Sequence, residues 1–85
     1  MTVRAKVRVD VTLKPGIADP QGQTVERSLP ALGWDNVRDV RVGKHFDLVV
    51  EGETIDSCRE QVEEMCRSFL SNPVLESYEF SLEPA

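Results

Sequence analysis

The sequence predicts an α+β domain whose elements follow the order β-α-β-β-α-β. Three observations carry that reading. Val3, Ala5, Val7, Val9, Val11 and Leu13 alternate with Arg4, Lys6, Arg8, Asp10, Thr12 and Lys14, the period-two pattern of a strand with one buried and one wet face. Ile55, Cys58, Val62, Met65, Cys66, Phe69 and Leu70 recur at helical spacing and fill an arc of roughly 140° on a helical wheel. Tyr78, Phe80 and Leu82 alternate with Glu79, Ser81 and Glu83, which makes a last strand.

The first strand ends at Lys14-Pro15-Gly16, where Pro15 removes a donor and Gly16 can take a positive φ. Asp19-Pro20-Gln21-Gly22 then opens a helix, with Asp19 as cap and Pro20 at the first helical position. Val25, Leu29 and Leu32 give that helix an apolar stripe, and Gly33 stops it. Pro30 cannot donate to the carbonyl of Glu26, so a kink or an early end is expected. A second strand is expected with Val40 and Val42 inward and Val37 near its start. A third has Phe46, Leu48 and Val50 inward. Gly43-Lys44 between them reads as a tight hairpin. Thr54 or Asp56 can cap the second helix, and Asn72-Pro73 stops it.

This order is the ferredoxin-like arrangement. It implies a four-stranded antiparallel sheet, order 4-1-3-2, with two helices on one face. The two helical stripes should meet the inward strand residues there in the only core. The opposite face would carry Arg4, Lys6 and Arg8 between Glu79 and Glu83 on one side and Asp47 and Glu51 on the other. Opposite charges across strands can pair. Either solvent or a neighbouring subunit could cover such a face.

Eighty-five residues make a single domain, residues 1–85, and a core of that size is marginal. A homodimer or homotetramer is therefore expected. Ten Lys and Arg stand against fifteen Asp and Glu, which argues against nucleic acid as a partner. No apolar run approaches the ~18 residues of a membrane span, and the charge-alternating N-terminus is unlike a signal peptide. A cytoplasmic location is expected.

No catalytic constellation is visible. His45 is the sole histidine, with no serine or cysteine tied to it as nucleophile and base. Cys58 and Cys66 lie eight residues apart on one helix, about 12 Å of rise, too far for a disulfide. No metal site is expected from one histidine and no Cys-x-x-Cys. Val42-Gly43-Lys44-His45 is not a phosphate loop, which needs glycine where Arg38 stands and Ser or Thr where His45 stands. Fold alone leaves function open. A surface for binding remains: Lys14, Asp19, Gln21, Gly22, Arg41, Gly43 and Lys44 should gather at one end of the sheet with His45 and are the partner-contact candidates.

Leu13-Lys14-Pro15-Gly16, Asp19-Pro20-Gln21-Gly22, Val25-Glu26, Leu32-Gly33 and Val40-Arg41-Val42-Gly43-Lys44 together resemble the pattern of the PurS family, over about Val3 to Leu82. The resemblance implies a non-catalytic subunit of phosphoribosylformylglycinamidine synthase, an ATP-dependent, glutamine-hydrolysing ligase of purine (IMP) biosynthesis. It implies synthetase (PurL-type) and glutaminase (PurQ-type) partners, which the small subunit would bridge while aiding ammonia transfer. No cofactor is expected in this chain; ATP and Mg²⁺ would belong to the synthetase. The alternative is an ACT-like regulatory module that senses a small molecule. Such modules share the element order, and Gly16 and Gly22 near the first helix suit one.

Overall fold

The computed structural model describes residues 2–85. It contains β1 (Val3–Leu13), α1 (Pro20–Ser28), β2 (Lys44–Gly52), α2 (Ile55–Met65) and β3 (Glu76–Pro84). A 3₁₀ turn, Pro30–Leu32, follows α1, and a π-helical turn, Cys66–Leu70, follows α2. The three strands form one antiparallel sheet in the order β2-β1-β3. That is the expected order with one expected strand missing.

β1 is the spine. Its register sets Val7 between Leu48 and Leu82 and Val9 between Phe46 and Phe80. Ala5, Val7, Val9 and Val11 are buried, and they cluster with Val50, Cys58, Val62 and Cys66. The period-two pattern thus meets the helical stripe of Ile55, Cys58, Val62, Met65, Cys66 and Leu70; Phe69, expected in the same stripe, is instead exposed on the π-helical turn, which shifts the helical phase. Thr54 is the cap of α2: its hydroxyl accepts from the Ser57 N–H at 3.0 Å, and the Ser57 hydroxyl accepts from the Thr54 N–H at 3.2 Å. This reciprocal bonding satisfies two donors that a helix start otherwise leaves open.

Three expectations are corrected. First, α2 is the helix that packs on the sheet, against β1 and β2. Residues of α1 are absent from the core, and its one buried position is Gly22. Val25 and Leu32, expected to point inward, are exposed. Second, the segment with Val37, Val40 and Val42 is not a strand. Asp39 has φ 60°, a left-handed angle that Asp tolerates better than most residues and that breaks an extended run. The N–H groups of Val40 and Val42 donate to the carboxylates of Glu26 and Asp19 instead of to a neighbouring strand. Third, Gly43-Lys44 is no hairpin, because no strand precedes it. Gly43 is needed for close approach: a Cβ there would lie 2.5 Å from the Val11 carbonyl oxygen.

Pro30 has the effect its chemistry requires. The α-helix ends at Ser28 and the chain continues as the 3₁₀ turn. Gly33, at φ 100°, closes it.

The result is a long molecule, 56 × 26 × 14 Å. Its radius of gyration is 16.8 Å, against about 12 Å for a close-packed chain of this length. Residues 14–43 form an arm, which leaves the sheet at Leu13 and rejoins it at Lys44.

Candidate functional site

The arm begins with a turn. Gly16 takes φ 87° and Ile17 donates its N–H to the Lys14 carbonyl at 3.1 Å. Proline then glycine at the two central positions is the composition of a type II turn. Three residues later Asp19 caps α1. Its Oδ1 accepts from the Gly22 N–H at 2.9 Å, and its Oδ2 accepts from the Val42 N–H at 2.8 Å. The carboxylate is 4 % exposed. It is held below the usual carboxylate range by the Gly22 N–H first, then by the Val42 N–H, with the Arg41 guanidinium adding to them against the cost of burial. Arg41 Nε stands 4.0 Å from Asp19 Oδ2, and the guanidinium reaches the carbonyls of Lys14 and Ile17.

Farther along α1, Glu26 Oε1 accepts from the Val40 N–H at 3.0 Å. Gly22 faces the Val40 carbonyl so closely that a Cβ there would lie 2.5 Å from its oxygen. Gln21, Pro20, Thr24, Val25 and Val42 line a shallow apolar depression on the same helix. At the arm's return, Lys44 Nζ lies 3.5 Å from Glu76 on β3's side of the sheet end.

Of the sequence-predicted contact residues, Lys14, Asp19, Gly22 and Arg41 come together at the base of the arm. Gln21 lies on the adjacent helix turn and Gly43 on the returning segment. Lys44 starts β2 and is paired with Glu76. His45 stands apart from this group, on the outer face of the sheet. Its Nδ1 lies 2.7 Å from Asp10 Oδ1 and its Nε2 lies 2.8 Å from Asp47 Oδ1. Asp10 faces His45 across the β1–β2 ladder. The Asp10 carboxylate first, and the Asp47 carboxylate second, raise the imidazole above its ordinary value. A carboxylate engages each ring nitrogen, so both are occupied within the chain.

Sequence reasoning missed Glu26 and the Asp10–His45–Asp47 cluster. The cluster was readable only with the strand register in hand. Glu26 resembled any exposed helix carboxylate until its partner, a backbone N–H 14 residues away, was in place.

Apolar surface collects around the arm. Val25, Leu32 and Trp34 on the arm are exposed, as are Phe69, Val74 and Leu75 on the connection from α2 to β3. That connection joins the arm's base, where the Lys14 N–H donates to the Leu75 carbonyl at 2.9 Å. The chain's accessible surface is 6279 Å². A compact monomer of its mass exposes about 5,000 Å², leaving an excess of roughly 1,200 Å². A standard interface buries about 800 Å² per partner. Among the described residues no group of three His, Cys, Asp or Glu side chains is placed to hold a metal ion. The arrangement suits docking.

Comparison with known proteins gives the same direction. Residues 6–84 match the family model described as PurS: Phosphoribosylformylglycinamidine (FGAM) synthase. The chain is 42 % identical over 78 residues to the subunit PurS of that synthase from Methanocaldococcus jannaschii, covering 92 % of this chain and 94 % of that one. Its fold superposes on the crystal structure of the purS subunit from Thermotoga maritima with a TM-score of 0.87 at 34 % identity, covering 98 % and 95 % of the two chains. It also superposes on a chain of the structure of PurLQS from Thermotoga maritima, with a TM-score of 0.85 at 35 % identity, covering 94 % and 98 %.

Proposed function

The chain belongs to the PurS family of phosphoribosylformylglycinamidine synthase subunits, and from that premise we propose that it works by assembly rather than by chemistry of its own. It is a non-catalytic subunit of an ATP-dependent, glutamine-hydrolysing ligase of purine biosynthesis. Its partners are a PurL-type synthetase and a PurQ-type glutaminase, as in the PurLQS structure on which it superposes. It bridges them and aids passage of ammonia from one to the other. ATP and Mg²⁺ are bound by the synthetase. In this reading the complex resides in the cytoplasm, with the biosynthetic synthase whose subunits its relatives are.

The observation that carries this reading is the arm. A nine-residue helix outside the core, with Val25, Leu32 and Trp34 in water, forgoes burial that a self-sufficient domain would use. The excess surface supports an oligomer, a homodimer or homotetramer, in addition to the partner subunits. We assign Lys14, Gln21 and Lys44 to the docking surface, while Asp19, Gly22, Arg41 and Gly43 serve it by shaping the arm. In our reading the fourth strand of the order 4-1-3-2 belongs to the assembled state, supplied beside β2 by a neighbouring subunit. The outer edge of β2 is unpaired within the sheet, and such an edge accepts a further strand.

Reconstitution tests the proposal. The chain is mixed with synthetase and glutaminase subunits, ATP, Mg²⁺ and either glutamine or ammonia. Glutamine-driven amidine formation should require the chain, and ammonia-driven formation should need it less. Equal glutamine-driven rates with and without the chain would sink the proposal.

A further inference from the structure

The outer face of the sheet, opposite α2, carries two cations without an ionic partner among the described residues. Lys6 and Arg8 are two residues apart on β1 and so share that face. Both are exposed, and neither takes part in any of the chain's ion pairs among the described residues. Their cross-strand neighbours make this unexpected. Lys6 lies between Val49 and Glu83 in the ladder, and Arg8 between Asp47 and Ser81. Directly opposed side chains stand about 5 Å apart at Cβ, well within the reach of a guanidinium. Asp47 is nevertheless turned to His45, whose other ring nitrogen takes Asp10. One imidazole thus withholds both carboxylates nearest Arg8. The other charged group beside this cluster is Glu79, opposite Asp10 on β3. Lys6, Arg8 and Ser81 line a groove of about 680 Å³, with Asp47, Val49 and Glu83 around them. That volume is in the range of small-molecule sites, roughly 300–1,000 Å³.

We propose that Lys6, Arg8 and Ser81 form a binding site for a small phosphate monoester bearing hydroxyl groups, and that His45 keeps the site open by holding Asp10 and Asp47 away from Arg8. Charge selects the ligand class. A phosphate monoester carries a charge of about −1.5 to −2 at pH 7, which matches two cations, whereas a carboxylate would leave one of them uncompensated. The guanidinium fork suits two phosphate oxygens at once, and the Ser81 hydroxyl can donate to a third. Glu83 stands ready to accept from hydroxyl groups on the rest of the ligand, and it disfavours a longer polyanion. Val49, half exposed, offers the carbon skeleton an apolar surface. None of these groups belongs to the arm, so the site does not depend on how the arm is used. The gate follows from the donor count of the ring. A charged imidazole donates from both nitrogens and a neutral one from only one. Loss of the proton therefore releases a carboxylate, and either one lies next to Arg8 and can pair with it.

Titration of the isotope-labelled full-length chain with ribose 5-phosphate, followed by NMR, tests both claims. Saturable shifts are expected at Lys6, Arg8 and Ser81, with residues 20–42 unmoved. Ribose should not bind, and sulfate should bind more weakly. Sulfate binding as tight as that of ribose 5-phosphate would mean an adventitious ion only and overturns the site. Absence of saturable shifts also overturns it, and a second copy stacked on this face would give that result. Arg8→Gln and Lys6→Gln should each weaken binding by about tenfold, the scale of one hydrogen bond to a charged group; if Arg8→Gln fails to fold, Lys6→Gln carries the test. The pH profile reads the gate. The phosphate gains its second charge near pH ~6, which alone makes binding tighten and then level off as pH rises. The gate adds a fall as pH passes the His45 midpoint, read from the imidazole resonances in the same samples. His45→Asn should weaken binding at low pH, and adding Asp47→Asn should recover part of the loss. Asp47→Asn alone should change little below the midpoint, where His45 already holds that carboxylate. A profile with no fall, or an equal gain from Asp47→Asn with and without His45, overturns the gate.

Discussion

Gly22 packs against the carbonyl oxygen of Val40, at a point where any Cβ would lie only 2.5 Å away. The same Cβ would lie 2.6 Å from Asp19 Oδ2. Helix propensity alone favours Gly22→Ala by about 1 kcal/mol. The contact predicts the opposite sign. The return segment is backbone and cannot swing aside as a side chain could. Gly22→Ala should lower the melting temperature followed by circular dichroism, with helical signal lost first. A rise in melting temperature would show that the arm accommodates the methyl group.

Val62 is fully buried on α2 against β1 and β2. With a single small core there is no second cluster to absorb the loss. Val62→Ala should destabilise the chain by about 2 kcal/mol, the transfer cost of the missing methyl groups plus a residual cavity. Urea unfolding measures it through a lower midpoint at unchanged slope. A loss near zero would mean that α2 settles onto the sheet and fills the gap.

Leu32 and Trp34 are 72 % and 58 % exposed. Leu32→Ser with Trp34→Ser should therefore change the folding stability of a single chain by no more than about 0.5 kcal/mol. Self-association should fall, as read by sedimentation at several concentrations. Stability lost without any change in association would place these side chains in a role internal to the chain.

His45 should titrate above 6.5, its ordinary value. A group whose folded value is raised contributes stability that is fully present below the unfolded value and is lost as pH rises through the folded one. The difference in stability between the wild-type chain and His45→Asn should thus be largest below pH 6.5 and vanish at higher pH. Imidazole resonances followed by NMR give the midpoint. Asp10→Asn and Asp47→Asn should each move it down, because both carboxylates raise it. Added salt should shrink all of these differences, since the cluster is solvent-exposed.

The sheet and α2 were legible because their signals are local and periodic. Val3 to Leu13 alternate without a fault, and Ile55 to Cys66 keep one apolar side, whereas Phe69, on the π-helical turn, falls outside it. Thr54 and Pro30 acted as their chemistry dictates. The arm was less legible for the same reason. Val25, Leu29 and Leu32 have the spacing of a core-facing stripe, but spacing does not say which molecule supplies the other side. Val40 and Val42 have strand spacing, yet a strand needs a partner ladder, and two carboxylates reached their N–H groups first. At the candidate site Lys14, Asp19, Gly22 and Arg41 do gather, but the expectation that they would rested on a second strand and a hairpin that the structure does not contain. The placement of His45 was not readable, because it depends on which face of β2 the residue after Lys44 occupies.

Both cysteines are sealed inside the chain. Cys58 points its thiol at the Val50 carbonyl, and burial raises Cys66 above the ordinary thiol range with the nearby Glu63 carboxylate adding to it. Neither presents a thiolate to solvent, and it is the thiolate that reacts. A cysteine introduced at position 34 would accordingly be the one fast-reacting thiol in a chain that keeps both of its own. A maleimide dye at that position would report on the arm directly, with no need for a cysteine-free background.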